Sequence, residues 1–152
     1  MAIKKSNKAK NFTLKDQNGD LFRLSDFRGK KAVLLSFHPL AWTGVCAKQM
    51  KALEKNYLKF KKLNAAAVGV NVDSVPTKNA WAKALKIKKT KLLSDFWPHG
   101  KVAKLYGIFR EKDGFSERAN ILVDKKGKVI FAKVYPIGQL PDIREIMKAL
   151  AD

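Results

Sequence analysis

Ala32-Val33-Leu34-Leu35-Ser36-Phe37-His38-Pro39-Leu40-Ala41-Trp42-Thr43-Gly44-Val45-Cys46 joins two patterns. Its first six residues are a nearly continuous apolar run of strand length, the mark of a strand buried on both faces. Pro39 ends the run, since it has no N–H for a ladder. From Gly44 the pattern turns helical. Cys46, Met50, Leu53, Tyr57 and Phe60 share one face, with Lys48, Lys51, Lys55 and Lys59 elsewhere. A buried strand leading into an amphipathic helix predicts an α/β fold. It sets residues 38–46 beyond the carboxyl end of the strand, where sites lie in open α/β sheets.

The flanking sequence extends this reading. Upstream, Phe12-Thr13-Leu14 and Leu21-Phe22-Arg23-Leu24 flank Asn18-Gly19, a hairpin signal. Downstream, Ala65 to Val72 reads as a second buried strand. Pro76 can start a helix through Trp81 and Leu85. Leu92-Leu93 is a short strand, and Pro98 to Tyr106 a helix stopped by Gly107. Ala119 to Val123 and Val129 to Val134 flank Asp124-Lys125-Lys126-Gly127 as a second hairpin. Pro141 to Leu150 closes the chain as a helix. Strands alternating with helices predict an α/β sandwich, with antiparallel strands added by the hairpins. Residues 1–10 read as a mobile basic tail and 11–152 as one domain.

With 152 residues and 46% hydrophobic composition, the chain suits a single domain. One cysteine, Cys46, excludes a disulfide scaffold and fits a reducing compartment. No run approaches the roughly 18 apolar residues of a membrane span. The basic N-terminus has no apolar stretch behind it, so it does not read as a secretory signal. The expectation is a soluble cytoplasmic protein. The formal net charge is +19, mostly from lysines spread along the whole chain. Such a surface attracts polyanions at low salt. No reading helix, stacking groove or arginine fork marks a specific nucleic-acid site, and a solvated lysine-rich surface is the simpler reading.

The chemistry concentrates at Pro39, Thr43 and Cys46. Cys46 falls in the first turn of the predicted helix, where free N–H groups and the helix dipole favour a thiolate, the nucleophilic form. Thr43 lies three residues earlier, where it can cap the helix or aim its hydroxyl at the sulfur. Because Thr43 occupies the first position of what would be a C-x-x-C pair, no local disulfide forms and a dithiol mechanism is excluded. Read from spacing alone, a lone cysteine on an apolar helix face is also a small buried hydrophobe. His38 and His99 are the only histidines, and with one cysteine they make no metal-ligand cluster.

At these residues the chain resembles the peroxiredoxins of the alkyl hydroperoxide reductase and thiol-specific antioxidant superfamily. Pro39, Thr43 and Cys46 match the family signature of Pro, three residues, Thr or Ser, two residues, Cys. Arg118, in Glu117-Arg118-Ala119-Asn120-Ile121-Leu122-Val123-Asp124, matches a distant family arginine near the start of a late strand. Ser94 to Gly100 and Tyr106-Gly107 are similar to the one-cysteine alkyl hydroperoxide reductase E branch.

The resemblance implies a thioredoxin-like fold, a central mixed sheet flanked by helices. It also implies a thiol-dependent peroxidase. Cys46 would attack a hydroperoxide and become a sulfenic acid. Arg118 would stabilise the thiolate, Thr43 would align the peroxide, backbone N–H groups at Val45 and Cys46 would donate to it, and Pro39 would shield the sulfur. Gln49 stands where relatives often carry Glu, and with His38 and Trp42 it is a further pocket candidate. Trp42 and Trp97 are expected around the pocket or at a subunit contact. Without a second cysteine, an external thiol must act as reductant: a thioredoxin- or glutaredoxin-like protein or a small thiol. The resemblance also implies a homodimer, and no organic cofactor or metal. The alternative is a redox sensor or polyanion-binding protein on the same fold without turnover; the full set of Pro39, Thr43, Cys46 and Arg118 favours the enzyme.

Overall fold

Ala32–Phe37 is a strand, β3, buried from Val33 onward. The computed structural model describes residues 2–152. Around β3 the elements are, in chain order, β1 (Thr13–Lys15), β2 (Leu21–Arg23), a 3-10 turn (Leu24–Phe27), then after β3 α1 (Gly44–Lys55), α2 (Tyr57–Lys62) and β4 (Ala65–Asn71). They continue with α3 (Val75–Leu85), β5 (Lys91–Ser94), α4 (Lys101–Leu105), β6 (Phe109–Arg110) and β7 (Phe115–Ser116). The chain ends with β8 (Arg118–Val123), β9 (Val129–Tyr135) and α5 (Ile143–Ala151).

A seven-stranded sheet runs β2-β1-β5-β4-β3-β8-β9, and β6 and β7 form a separate pair. β3, β4 and β5 are parallel, whereas β8 and β9 continue antiparallel. Parallel neighbours need long crossovers, which α1 with α2, and then α3, provide. The two hairpins turn at Asn18-Gly19 and Asp124–Gly127, where Gly19 and Gly127 take positive φ. This is the mixed, helix-flanked sheet with an N-terminal hairpin that the sequence predicts.

Strand alternation splits the interior into two layers. Val33, Leu35 and Phe37 pack with Phe12, Val70 and Tyr106 on one side. Leu34 packs with Cys46, Met50, Leu53, Trp81 and Leu92 on the other. Burying each such Leu, Phe or Met contributes about 1.5–3 kcal/mol. Met50 and Leu53 therefore clamp α1 to the sheet and fix the height of Cys46 above β3.

Two local expectations are corrected. The Cys46–Phe60 stripe is divided between two helices, because the Asn56 side chain donates to the Ala52 carbonyl at 2.8 Å and competes with the backbone. The helix expected from Pro98 begins at Lys101: Gly100 is left-handed, and the Asp95 carboxylate takes the Val102 and Ala103 N–H groups. Within residues 2–10, Ile3 N–H bonds to Tyr106 O, Ser6 to Val129 O and Ala9 to Gly127 O. Residue 1 of the expected mobile tail lies outside the described residues. The β6–β7 hairpin has two-residue strands, too short for periodicity to reveal.

Gly69 on β4 pairs with Ser36. A Cβ there would overlap Met50 Sδ and crowd His38 and Leu92, each at 3.2 Å. All three neighbours are fully buried. Gly69→Ala should therefore destabilise the fold by about 1–3 kcal/mol in urea titration; an unchanged midpoint would show that α1 is not tightly seated.

Candidate active site

α1 starts at the carboxyl end of β3, so its first turn stands directly over the sheet. Thr43 is the N-cap residue, yet its side chain makes no capping bond. Its hydroxyl donates instead to the Leu40 carbonyl at 2.8 Å. The N–H groups of Val45 and Cys46 precede the first possible intrahelical bond, Ala47 N–H to Thr43 O, and remain free donors. Thr43 and Gly44 are exposed, Val45 is half-buried and Cys46 is 1% exposed, so this turn runs from solvent to the sulfur. Pro39 is buried at the end of β3.

Arg118 opens β8, distant in sequence, and meets Cys46 in space. Its Nη1 donates to Cys46 Sγ at 3.3 Å and to Gln49 Oε1 at 2.8 Å, and its Nε donates to Ile137 O at 2.9 Å. Arg118 is 4% exposed. A buried cation is costly unless it is hydrogen-bonded, and these contacts satisfy its Nε and Nη1 donors. Gln49 also donates through Nε2 to Ser36 Oγ at 2.7 Å and to Phe37 O at 3.1 Å, and Ser36 Oγ donates to Asn120 Oδ1 at 2.8 Å. An amide both accepts from Arg118 and donates to Phe37 O; a carboxylate at position 49 could not do the second. Gln49 also leaves the Arg118 charge uncompensated beside the sulfur.

Pro39, Thr43, Val45, Cys46, Gln49 and Arg118 thus converge on one end of β3. His38 does not reach the sulfur. Its Nδ1 is 3.2 Å from Ser36 O, its ring lies on Trp81 at 5.5 Å, and its Nε2 has no partner among the described residues. Burial, with the Lys78 and Arg118 charges, holds its pKa well below the histidine range, so the imidazole is neutral. Trp42 points to solvent, 58% exposed, on a left-handed backbone of φ 65°. Trp97 is also exposed.

Sequence reasoning missed Asn71, Asp73 and Lys78. Lys78 is fully buried in α3 and donates to Asn71 Oδ1. Asn71 Nδ2 donates to Asp73 Oδ2 at 2.7 Å, and that oxygen accepts the Ala41 N–H at 2.7 Å. The available sequence signal was Lys78 on the face of α3 that carries Trp81 and Ala82.

A groove of about 910 Å³ lies elsewhere, between α5 and the Asn64 and Phe131 region. No group of three His, Cys, Asp or Glu among the described residues is placed to hold a metal.

A profile of the AhpC/TSA family matches residues 6–132. Alkyl hydroperoxide reductase E of Mycobacterium tuberculosis is 41% identical over 143 residues, spanning 94% of this chain and 93% of that protein. The reduced 2-Cys peroxiredoxin of Plasmodium vivax superposes with a TM-score of 0.86 at 30% identity, over 96% of this chain and 79% of that one. Peroxidoxin BcpB of M. tuberculosis gives 0.83 at 27% identity, over 98% and 95%.

Burial pulls the Lys78 pKa down to about 7, against the opposing pull of Asp73 and Cys46. In the unfolded chain a lysine titrates near ~10.4. Between these values the unfolded state binds more protons, so this group makes stability rise with pH. The stability of wild type relative to Lys78→Met should therefore increase from pH 7 to 10 in parallel urea titrations. A pH-independent difference would contradict a buried titrating lysine.

Proposed function

The chain belongs to the AhpC/TSA family and is a thiol-dependent peroxidase; we propose that Cys46 is its reactive thiol and that Thr43, Arg118 and Pro39 complete the catalytic set. The observation that carries this reading is the 3.3 Å contact from buried Arg118 Nη1 to Cys46 Sγ. The guanidinium sets a charged hydrogen-bond donor directly against the sulfur.

The reaction is an in-line displacement. The thiolate forms a bond to the terminal peroxide oxygen as the O–O bond breaks, and the leaving oxygen takes a proton to depart as water or an alcohol. Cys46 becomes a sulfenic acid. Negative charge moves from sulfur to the leaving oxygen, so donors arranged around that path lower the barrier. Arg118 and the free N–H groups of Val45 and Cys46 are such donors. Because the Thr43 hydroxyl gives its proton to Leu40 O, its lone pairs remain to accept from the peroxide and align it. Buried Pro39 walls the pocket, and Gln49 orients Arg118. His38 and Trp42 take no part in the displacement on this reading.

Cys46 is the chain's single cysteine, so the sulfenic acid is resolved by an external thiol. That thiol attacks sulfur and releases water, and a second thiol reduces the mixed disulfide. A thioredoxin- or glutaredoxin-like protein or a small thiol fits this role. The exposed apolar side chains of Leu40, Trp42, Phe96 and Trp97 support a homodimer that covers them. Sedimentation velocity should then show a dimer that Trp97→Glu dissociates; a monomeric wild type would remove the dimer from this reading. No helix among the described residues is long and apolar enough to cross a membrane, and we place the protein in the cytoplasm.

Peroxide consumption with dithiothreitol as reductant tests the assignment. Cys46→Ser should abolish turnover while remaining folded. Arg118→Met should slow oxidation about 10²- to 10³-fold, the scale of one lost donor to developing charge. Retained turnover in Cys46→Ser would overturn the mechanism.

A further inference from the structure

Behind Cys46 lies a polar cluster that the displacement itself does not use. Lys78 of α3 is fully buried, and its hydrogen-bond acceptor is Asn71 Oδ1. In its protonated form Lys78 only donates, and the Asn71 amide then presents oxygen to it. The Asp73 N–H bonds the same oxygen at 3.1 Å. The amide nitrogen must then face Asp73 Oδ2, the atom that accepts the Ala41 N–H. Ala41 is the midpoint of the Pro39–Thr43 loop. The next residue, Trp42, is a bulky side chain in the left-handed region, a conformation that persists only when the surroundings impose it. Two bonds impose it: Ala41 N–H to Asp73, and Thr43 Oγ1 to Leu40 O.

We propose that Lys78 is a positioning residue for peroxide reduction, which holds the Pro39–Thr43 loop through Asn71, Asp73 and the Ala41 N–H and so keeps Thr43 in place beside Cys46. This rests on the reading of Cys46 as the reactive thiol. The charged and titratable groups around Lys78 are Asp73 and Asp95, Cys46 of α1, and neutral His38 of β3. Asp73 is the group bonded into its chain. Without the ammonium, Asn71 Oδ1 keeps only the Asp73 N–H, Asp73 loses its nearby positive charge, and the hold on Ala41 loosens, which lets Trp42 relax and carry Thr43 with it. A displacement of about 1 Å suffices to spoil an in-line geometry. A methionine would fill the site without a buried charge, so the fold does not need the lysine for packing.

The test compares two reactions of the same thiol. Stopped-flow tryptophan fluorescence gives the rate of oxidation by hydrogen peroxide. Alkylation by iodoacetamide reports the thiolate without demanding peroxide alignment. Lys78→Met and Asp73→Ala, which cut the chain at opposite ends, should each slow peroxide oxidation at least tenfold while alkylation stays within threefold. Lys78→Met should melt no lower than wild type. Exposed Lys83 on the same helix serves as control, and Lys83→Met should match wild type in both reactions. Wild-type peroxide rates in either chain variant, or equal losses in both reactions, would overturn the proposal. If Lys78→Met fails to fold, Asp73→Ala decides alone. A wild type that oxidises no faster than a free thiol would instead sink the peroxidase reading.

Discussion

The contact between the Arg118 guanidinium and the Cys46 sulfur organises the rest of the molecule. It joins residues 72 positions apart, and both are buried. An unpaired cation in that environment would be strongly unfavourable. The fold satisfies it from three directions: the start of α1 through Cys46, the next turn through Gln49, and the loop after β9 through Ile137. The pairing of β3 with β8 sets the distance, because Ser36 faces Asn120 across the ladder, bonds to it, and in turn accepts from Gln49. A neutral amide at position 49 keeps the full guanidinium charge for the sulfur while still bonding to the Phe37 carbonyl.

The sequence made the framework legible where a single physical signal dominated. β3 is an apolar run, α1 has a 3.6-residue stripe, and two hairpins carry glycine turns. The Pro39, Thr43 and Cys46 spacing marked the candidate site at the start of α1. Arg118 came only from resemblance, since no local pattern announces a partner contributed by a distant strand. The Lys78, Asn71 and Asp73 chain stayed hidden for the same reason, and for another. In a chain with formal charge +19, one more lysine reads as solvated surface. Burial of a cation is decided by tertiary packing, which periodicity does not report. Asn56 and Gly100 shifted helix boundaries through a side-chain bond and a left-handed backbone, local effects that compete with propensity.

A division of labour follows from these contacts. Apolar layers seat α1 on the sheet, and polar chains then aim it. One chain, Asn120 to Ser36 to Gln49 to Arg118, approaches the sulfur from β8. The other, Lys78 to Asn71 to Asp73 to Ala41, approaches the loop from α3. Cys46 lies between them, 1% exposed. A thiol so enclosed has no second cysteine to meet, and turnover passes to an external thiol that must reach it. The same enclosure makes over-oxidation to sulfinic acid the hazard when that thiol is scarce.

The most direct test of the central claim is the intact mass of the reduced protein before and after one equivalent of hydrogen peroxide, with peptide mapping of the product. The account predicts rapid gain of one oxygen atom, located on Cys46 and reversed by added thiol. Oxidation no faster than that of a free thiol in solution, or an oxygen gained at methionine in place of Cys46, would contradict it.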